Sequence, residues 1–408
     1  MLLVIKGKLL IDGTGTPPIP DGAILVEGGR IVEVGKLENL HFPSDTRIIN
    51  RGHETLLPGL VDSHIHVAID STIDESVSLQ QERPDALKAL RGYMSLQKDL
   101  MSGVTTVRSL GDGCDVDRII RDAIVRGEIN GPRILACVLA LRSSHGTAPK
   151  TAICADGVDE LRRRTREAIA RGADVIKIFA SNIIRGNTHL DYLQGDLTRV
   201  AAYTKEEMAV VAEEAHRAGI KVAAHAIGGP ALRWALQAGI DSVEHANLID
   251  EEDIEIFLET GGFLSDPNLH LFFDPEIGFE SEGNRTHKWE ELPEWWHEKV
   301  HLAREQTRTV MSKAVKMGVK FALGTDLNHG GLWKEAKYFV QALGATEMEA
   351  ILAITKNGAE LCGMEDQIGT LEKGKSGDII SVNGNPLERI ECLRDVQFVV
   401  KEGRVVKG

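Results

Sequence analysis

The sequence predicts an α/β protein, namely a (β/α)8 TIM-like barrel with a small β-sandwich domain built from both chain ends. The middle of the chain alternates eight apolar, strand-like runs with amphipathic helical patterns. Both chain ends instead show period-two alternation broken by glycine turns. Alternating strands and helices favour a parallel sheet, whereas period-two runs favour antiparallel strands. We therefore predict the sandwich at 1–56 and 364–408 and the barrel at 57–363.

The chain ends contain short runs that we assign to one sheet. The first end includes LLVIKGKLLID, DGAILVEGGRIVEVG and TRIIN, and the last includes GKSGDIISVNGN and VQFVVKEGRVVKG. Alternating apolar residues with Gly, Asn or Asp between the runs are typical of hairpins. We expect the two ends to contribute hairpins to the same domain.

Eight strand candidates follow one another in the middle of the chain. In order they are GLVDSHIHV, GVTTVRSL, PRILACVLAL, DVIKIFAS, KVAAHAI, SVEHAN, GGFLSDPN and VKFALGTD. Helical patterns separate several of them, and the pattern at 204–219 opens with Thr204 and Glu207, the two positions of a capping box. Eight such units favour a closed barrel over a doubly wound sheet.

One connection is longer than the usual βα loop. Residues 267–300 follow the seventh strand candidate and contain Trp289, Trp295 and Trp296. In a barrel, a segment at this place lies over the face that carries active sites. Two interpretations remain open, a lid or substrate loop and an aromatic oligomer contact.

Composition excludes several classes of partner. The chain has 408 residues, is 42% hydrophobic and 26% charged, and carries a formal net charge of -14. This charge disfavours nucleic acid and anionic membranes, which require clustered Lys and Arg. Its five cysteines are scattered without a C-x-x-C motif, which indicates a reducing, cytoplasmic location. The apolar N-terminus is short and interrupted by Lys6 and Lys8, unlike a signal peptide or a membrane span.

Metal-binding side chains stand at the ends of the strand candidates. His64 and His66 end the first strand, His225 and His245 lie on the fifth and sixth, and Asp326 ends the eighth. Carboxyl ends of barrel strands converge on one face, and residues i and i+2 of a strand point the same way. Converging imidazoles and a carboxylate are the donors that Zn²⁺ prefers, although Mn or Co also fits this ligand type.

Lys177 is a cation within the otherwise apolar run DVIKIFAS. Burial lowers the pKa of an amine, and the neutral amine can react with carbon dioxide to form a carbamate. Such a carbamate (N6-carboxylysine) can bridge two divalent ions. We predict His64, His66 and Asp326 on one ion and His225 and His245 on the other, with roughly 3.5–4 Å between the ions.

These motifs resemble the amidohydrolase superfamily in its binuclear form with a carboxylated lysine. The resemblance rests on LPGLVDSHIHV, VIKIFAS, AAHAIGG, VEHANLID, LGTDLN and GKSGDIISVNGNPL, and spans nearly the whole chain. SSHGTAP, ARGADVIKIFAS and HANLID are closest to the imidazolonepropionase-related group with Xaa-Pro and Xaa-Arg dipeptidases. The resemblance implies that a metal-bridging hydroxide attacks an amide carbonyl and that Asp326 shuttles the proton. It also implies that His145 binds the substrate.

The sequence departs from the dipeptidase pattern at one position. Those relatives have a Tyr two residues after the strand-five His, and this chain has Ile227 there. Arg142, Arg185 or His329 could bind a substrate anion instead, and Arg suits bidentate carboxylate binding. For each Arg, a solvated surface position is the competing interpretation.

Four functional readings follow, with a homo-oligomer expected from the resemblance. The first is a hydrolase of a dipeptide (Xaa-Pro-like) or N-acyl amino acid, and the second a hydrolase of a cyclic amide, imide or urea-type substrate, which Ile227 favours. A mononuclear deaminase or imidazolonepropionase would not need Lys177. A non-catalytic relative would have lost ligands, and here every expected position is filled.

Overall fold

The computed structural model describes residues 2–186, 192, 200–283 and 287–408. Its strands are β1 (Leu2–Leu10), β2 (Ile19–Pro20), β3 (Gly22–Glu27), β4 (Arg30–Lys36), β5 (Arg47–Pro58), β6 (Leu60–Ile65), β7 (Val104–Ser109), β8 (Arg133–Leu135), β9 (Ala140–Arg142), β10 (Ala152–Cys154), β11 (Val175–Phe179), β12 (Lys221–Ala226), β13 (Ser242–His245), β14 (Phe263–Ser265), β15 (Lys320–Ala322), β16 (Ile379–Asn383), β17 (Val396–Lys401) and β18 (Arg404–Lys407).

Helices separate the strands of the middle region. They are α1 (Val77–Glu82), α2 (Asp85–Met101), α3 (Val116–Val125), α4 (Gly157–Ala170), α5 (Lys205–Arg217), α6 (Gly229–Gln237), α7 (Glu251–Thr260), α8 (Leu269–Phe273), α9 (Phe279–Glu282), α10 (Glu294–Gln306), α11 (Ser312–Met317), α12 (Leu332–Gln341), α13 (Glu347–Ala353) and α14 (Lys356–Leu361). A π-helical turn, Thr307–Met311, joins α10 to α11.

The two chain ends form one sheet, as their shared pattern predicted. Its order is β18-β17-β16-β5-β1-β3-β4, with β2 paired to β1. β5 pairs in parallel with β1 and antiparallel with β16, and thereby links the two ends of the chain. Apolar side chains pack on both faces, Leu3 and Ile5 on one and Val4 on the other. The strands expected to form a sandwich are thus joined by continuous hydrogen bonding.

The middle of the chain forms the predicted parallel barrel. β6, β7 and β8 pair in one parallel sheet, and β9 and β11–β15 pair in parallel in the next. The Ser63 amide donates to Leu323 O at 3.1 Å, and Ile65 bridges to Asp326, so the first and last strands meet. The run PRILACVLAL was expected to form one strand, but it is divided into β8 and β9. Between them Val138 has a φ of 64°, which extended strands do not allow.

Local signals also placed the helix that begins after residue 204. The Thr204 hydroxyl accepts from the Glu207 amide at 3.3 Å, and the Glu207 carboxylate accepts from the Thr204 amide at 2.8 Å. This reciprocal capping box starts α5, and Gly219 follows its end with a φ of 71°.

Among the helices of the described ranges, none combines the length and the apolar character needed to cross a bilayer. All five cysteines are unbonded thiols.

Candidate metal centre and pocket

Three predicted metal ligands lie close together where the end of β6, the first barrel strand, meets the segment that follows the last barrel strand. His64 Nε2 and His66 Nε2 lie 3.9 and 3.4 Å from Asp326 Oδ1. Ligand atoms from these three residues all fall within 4.8 Å of one another. The backbone adds to this, because the Asp326 amide donates to His64 O and the His66 amide donates to Asp326 O. The i, i+2 spacing of His64 and His66 therefore places both side chains beside the Asp326 carboxylate.

The second pair of histidines lies beside the first. The ring centroids of His225 and His245 are 4.9 Å apart, and those of His64 and His245 are 5.1 Å apart. His245 and Asp326 have φ values of 77° and 55°, in the left-handed region that side chains other than Gly rarely adopt. Unfavourable backbone of this kind is concentrated at functional sites.

Lys177 is buried on β11 between these groups. Its Nζ lies 5.2 Å from the centroid of Phe179, whose ring is 5.5 Å from that of His225. Burial lowers the pKa of the Lys177 amine to about 8, against the opposing pull of Glu244 and Asp326. Burial lowers the pKa of His64 and of His225, and the positive charge of Lys177 lowers both further. These groups therefore share one electrostatic environment.

The donor set fits divalent metal ions. His64 Nε2 and Lys177 Nζ are buried, and within the described ranges neither has a hydrogen-bond partner. An unsatisfied buried polar group costs about 1–3 kcal/mol, which coordination or carboxylation would remove. Imidazole nitrogens that face a carboxylate oxygen match the preferences of Zn²⁺. The residues that could hold metal are His64, His66, Lys177, His225, His245 and Asp326.

A buried ion pair orients His64 from inside the barrel. Glu244 Oε2 lies 3.0 Å from His64 Nδ1, and Glu244 Oε1 accepts from Arg108 Nη2 at 2.8 Å. Burial favours the protonated carboxyl, but Arg108 and His64 hold the pKa of Glu244 well below its usual range. A carboxylate at Nδ1 keeps the proton there and turns Nε2 towards a metal ion.

Two further carboxylates lie behind the candidate ligands. Asp266 Oδ2 lies 3.2 Å from His64 Nδ1 and 3.4 Å from His245 Nδ1. Burial, with Asp326 nearby, raises the pKa of Asp266 well above its usual range. Asp62 accepts hydrogen bonds from the His64 amide, at 3.2 Å, and from the Thr325 hydroxyl, at 2.7 Å. Asp62 thus ties β6 to the residue before Asp326.

His329 stabilises the chain after His66, so the expectation that it binds substrate is wrong. Its ring is buried, with Nδ1 2.7 Å from Asp99 Oδ2 and Nε2 3.2 Å from the carbonyl oxygens of His66 and Ile69. Burial lowers the pKa of His329, but Asp99 outweighs it and raises the pKa to about 9. Both ring nitrogens are therefore engaged in holding the chain that follows His66.

Other predicted substrate residues do not line the pocket. Arg142 Nη1 donates to the carbonyls of Ser143 and Gly146, at 3.2 and 2.7 Å, and so supports its own loop. Its role as an anion ligand stays a prediction. The side chains of His145 and Arg185 are exposed, and their substrate roles stay predictions.

Two more histidines follow barrel strands. His270 is buried with Nδ1 2.6 Å from Glu335 Oε1, whereas His189 lies outside the described residues.

A cavity of about 320 Å³ opens onto the candidate metal centre. Its polar end includes His225, His245 and Asp326. The remaining wall is largely apolar, and part of it is formed by Leu248, Phe272, Phe279, Trp296 and Val300. This size and composition suit a small organic ligand with an apolar portion.

The long connection after the seventh barrel strand forms much of this wall. α8, α9 and α10 contribute Phe272, Phe279 and Trp296 to the cavity. Trp289 stacks on His297 at a centroid distance of 4.2 Å and packs against the same cluster. The position of these side chains in the cavity wall favours a lid or substrate loop at 267–300 over an oligomer contact.

Several residues of the site escaped sequence reasoning. Arg108, Glu244 and Asp266 are charged residues in the apolar runs GVTTVRSL, SVEHAN and GGFLSDPN. The same signal identified Lys177, and burial of a charge predicts a partner in each case. Which charge meets which partner depends on strand order and could not be read from those runs.

Together, a closed parallel barrel and a cluster of histidines and carboxylates at its carboxyl ends define a barrel hydrolase with a candidate metal centre. A profile of the amidohydrolase family matches residues 55–407. The chain belongs to the amidohydrolase family and is an enzyme that hydrolyses C–N bonds. This confirms the resemblance to the amidohydrolase superfamily and the barrel fold that it implied.

Individual relatives agree with the narrower resemblance. Ochratoxinase of Aspergillus niger is 30% identical over 438 residues, covering 99% of this chain and 86% of the relative. Imidazolonepropionase of Alkaliphilus metalliredigens is 24% identical over 444 residues, covering 95% and 92%. A crystal structure of a Xaa-Pro dipeptidase with methionine bound in the active site has a TM-score of 0.85 at 29% identity, with 100% of both chains covered.

Proposed function

We propose that the chain is a binuclear metal-dependent amidohydrolase that cleaves a dipeptide of the Xaa-Pro type or an N-acyl amino acid. The observation that carries the proposal is the cluster of His64, His66, His245 and Asp326, with buried Lys177 close by, beside a largely apolar cavity that His245 and Asp326 line. Relatives named ochratoxinase and Xaa-Pro dipeptidase support amide cleavage. The methionine in the active site of the dipeptidase supports a substrate of amino-acid size.

We assign two Zn²⁺ ions to the site. His64, His66 and Asp326 would hold one, His225 and His245 would hold the other, and carboxylated Lys177 would supply further oxygen ligands. When bound, the ions lower the pKa of coordinated water and polarise an amide carbonyl. The low pKa of Lys177 supports carboxylation, because only the neutral amine combines with carbon dioxide.

The chain's own residues transfer the proton and orient the metal-binding histidines. Asp326 keeps about 20% of its side chain exposed and lines the cavity, so its carboxylate can take a proton from water and deliver it to the leaving amine. Glu244 holds the proton of His64 at Nδ1, and the Gly111 carbonyl accepts from His66 Nδ1. The apolar wall limits access of bulk water to the reacting amide.

Metal analysis and a substrate panel test the proposal. Protein loaded with zinc and bicarbonate should contain two ions per chain by mass spectrometry. It should release amine from L-Xaa-L-Pro or L-Xaa-L-Arg dipeptides or from N-acyl amino acids. Lys177→Ala should lose activity and bound metal, whereas Lys313→Ala on the exposed face of α11 should keep both. Full activity in Lys177→Ala would exclude the carbamate.

A second candidate function is hydrolysis of a cyclic amide, imide or urea-type substrate. The observation that favours it is Ile227, an apolar residue that lines the cavity next to the polar end. It offers no donor to a substrate carboxylate. Two bound ions with no reaction across the acyclic panel would favour this alternative, and a panel of hydantoins and lactams would then test it.

A further inference from the structure

We propose that Lys299 binds the free carboxylate of the substrate, and that the wall beside it holds an apolar side chain of the same substrate residue. This inference rests on the proposed function and specifies its substrate class. Lys299 lies on α10 and lines the cavity that also contains His225 and Asp326. It would select acids over neutral amides of the same shape.

Aromatic rings hold the Lys299 ammonium at the cavity. Its Nζ lies 5.3 Å from the centroid of Tyr192 and 5.5 Å from that of Trp296. Both rings also line the cavity. Cation–π contacts of this kind restrain the position of the ammonium. A positioned cation of low mobility loses less entropy when it binds an anion.

Lys299 lies at the same cavity as the candidate metal ligands. Its side chain lines this cavity together with His225, His245 and Asp326. A substrate carboxylate near Lys299 would therefore lie within the same small cavity as the metal ligands. An N-acyl amino acid or dipeptide has this geometry, because two bonds separate the scissile nitrogen from its carboxylate carbon.

The wall next to Lys299 is a hydrophobic cluster. Ile227, Leu248, Phe272, Val300 and Ala303 are its buried members, and Phe279 and Trp296 pack against it. Ile227 lacks a hydrogen-bond donor, and α10 brings the Lys299 donor to the same wall. Burying a carboxylate in apolar surroundings is costly without a charged partner, and Lys299 supplies one.

The test compares an acid with a neutral analogue of the same shape. N-Acetyl-L-phenylalanine and N-acetyl-L-phenylalaninol share the scissile amide and the benzyl group, and differ in carboxylate against hydroxymethyl. With zinc-loaded protein, kcat/KM should favour the acid by about 10- to 100-fold, the range of a charge-assisted hydrogen bond. Lys299→Met should remove this preference through KM, while values for the alcohol stay within about threefold.

Two further variants keep the result interpretable. Lys299→Arg should retain a preference for the acid, and Lys313→Met, an exposed lysine paired with Glu251, should behave as the unmodified protein. Equal losses for acid and alcohol in Lys299→Met, or no loss for either, would overturn the inference.

Binding separates this inference from the proposed function. If neither compound is hydrolysed, amide cleavage of this class fails, but titration calorimetry still measures affinity for the acid and the alcohol. Tighter binding of the acid that disappears in Lys299→Met would support the carboxylate site. Equal affinity for the two compounds in the unmodified protein would refute it.

Discussion

Replacing Arg108 with Met should destabilise the barrel more than any surface charge change. The Arg108 guanidinium is buried at 1% exposure and makes four hydrogen bonds inside the barrel. It donates to Ser63 O at 2.6 Å, to Glu244 Oε1 at 2.8 Å, and to the hydroxyls of Ser242 and Ser265 at 3.1 Å each. Met fills similar space but leaves the Glu244 carboxylate without its cation.

The expected magnitude follows from the burial of both partners. Breaking a buried ion pair on one side costs about 3–5 kcal/mol, because the remaining charge stays in a medium of low polarity. An exposed pair contributes about 0–1 kcal/mol. Arg126 and Glu128 form such a pair, with side chains 57% and 55% exposed, so Arg126→Met is the matched control.

Urea denaturation measures the difference, followed by both circular dichroism and tryptophan fluorescence. Coincident transitions and an unchanged m value are required before free energies of unfolding are compared. Arg108→Met should lose about 3–5 kcal/mol and Arg126→Met less than about 1 kcal/mol. Adding Glu244→Gln to Arg108→Met should recover part of the loss, because it removes the unpaired charge.

A loss in Arg108→Met that is no larger than in Arg126→Met would refute this reasoning. It would mean that Glu244 is protonated or hydrated in the folded protein. Bound zinc is a second readout, since Glu244 faces His64 Nδ1 and its reorientation should weaken metal retention.

Three further predictions concern the site and its surroundings. Asp326→Asn should lower kcat by more than about 100-fold, because the amide cannot carry the proton, while the circular dichroism spectrum is unchanged; an unchanged kcat would exclude the shuttle role. Gly324→Ala should reduce bound zinc in mass spectrometry, because its Cβ would lie 2.7 Å from the His64 amide nitrogen. Burial raises the pKa of Asp70, but His329, Lys98 and Ser95 lower it to about 2. Lowering the Asp70 pKa from about 3.8 stabilises the folded protein by about 2 kcal/mol above pH 4, and this contribution is lost as the pH falls towards 2. The difference in unfolding free energy between the unmodified protein and Asp70→Asn should therefore shrink between pH 4 and pH 2 and stay constant above pH 4.

Local patterns were enough for the architecture. Period-two runs at both ends and eight apolar runs in the middle predicted a split sheet and a parallel barrel, because strand periodicity is encoded within a few neighbouring residues. The capping box at Thr204 is equally local. The third barrel strand differs, since the left-handed Val138 divides it in two, and β10 is an additional strand paired with β9.

The candidate ligands could also be found from sequence, because a barrel places the carboxyl ends of all its strands on one face. His64 and Asp326 stand at or just after such ends, Lys177 lies in the middle of β11, and the structure brings the three residues close together. Their metal-binding roles remain predictions for metal analysis to test.

Tertiary structure alone decided how the remaining charges and rings are used. Arg108 meets Glu244 across 136 positions of sequence, and His329 meets Asp99 across 230, so no local pattern distinguishes a buried pair from solvated charges. Lys299 reaches the cavity only because the path of α10 brings it beside Tyr192 and Ile227. Sequence determines which elements form and which side chains end the strands, because those depend on near neighbours. Packing of distant segments determines the partner of each charge.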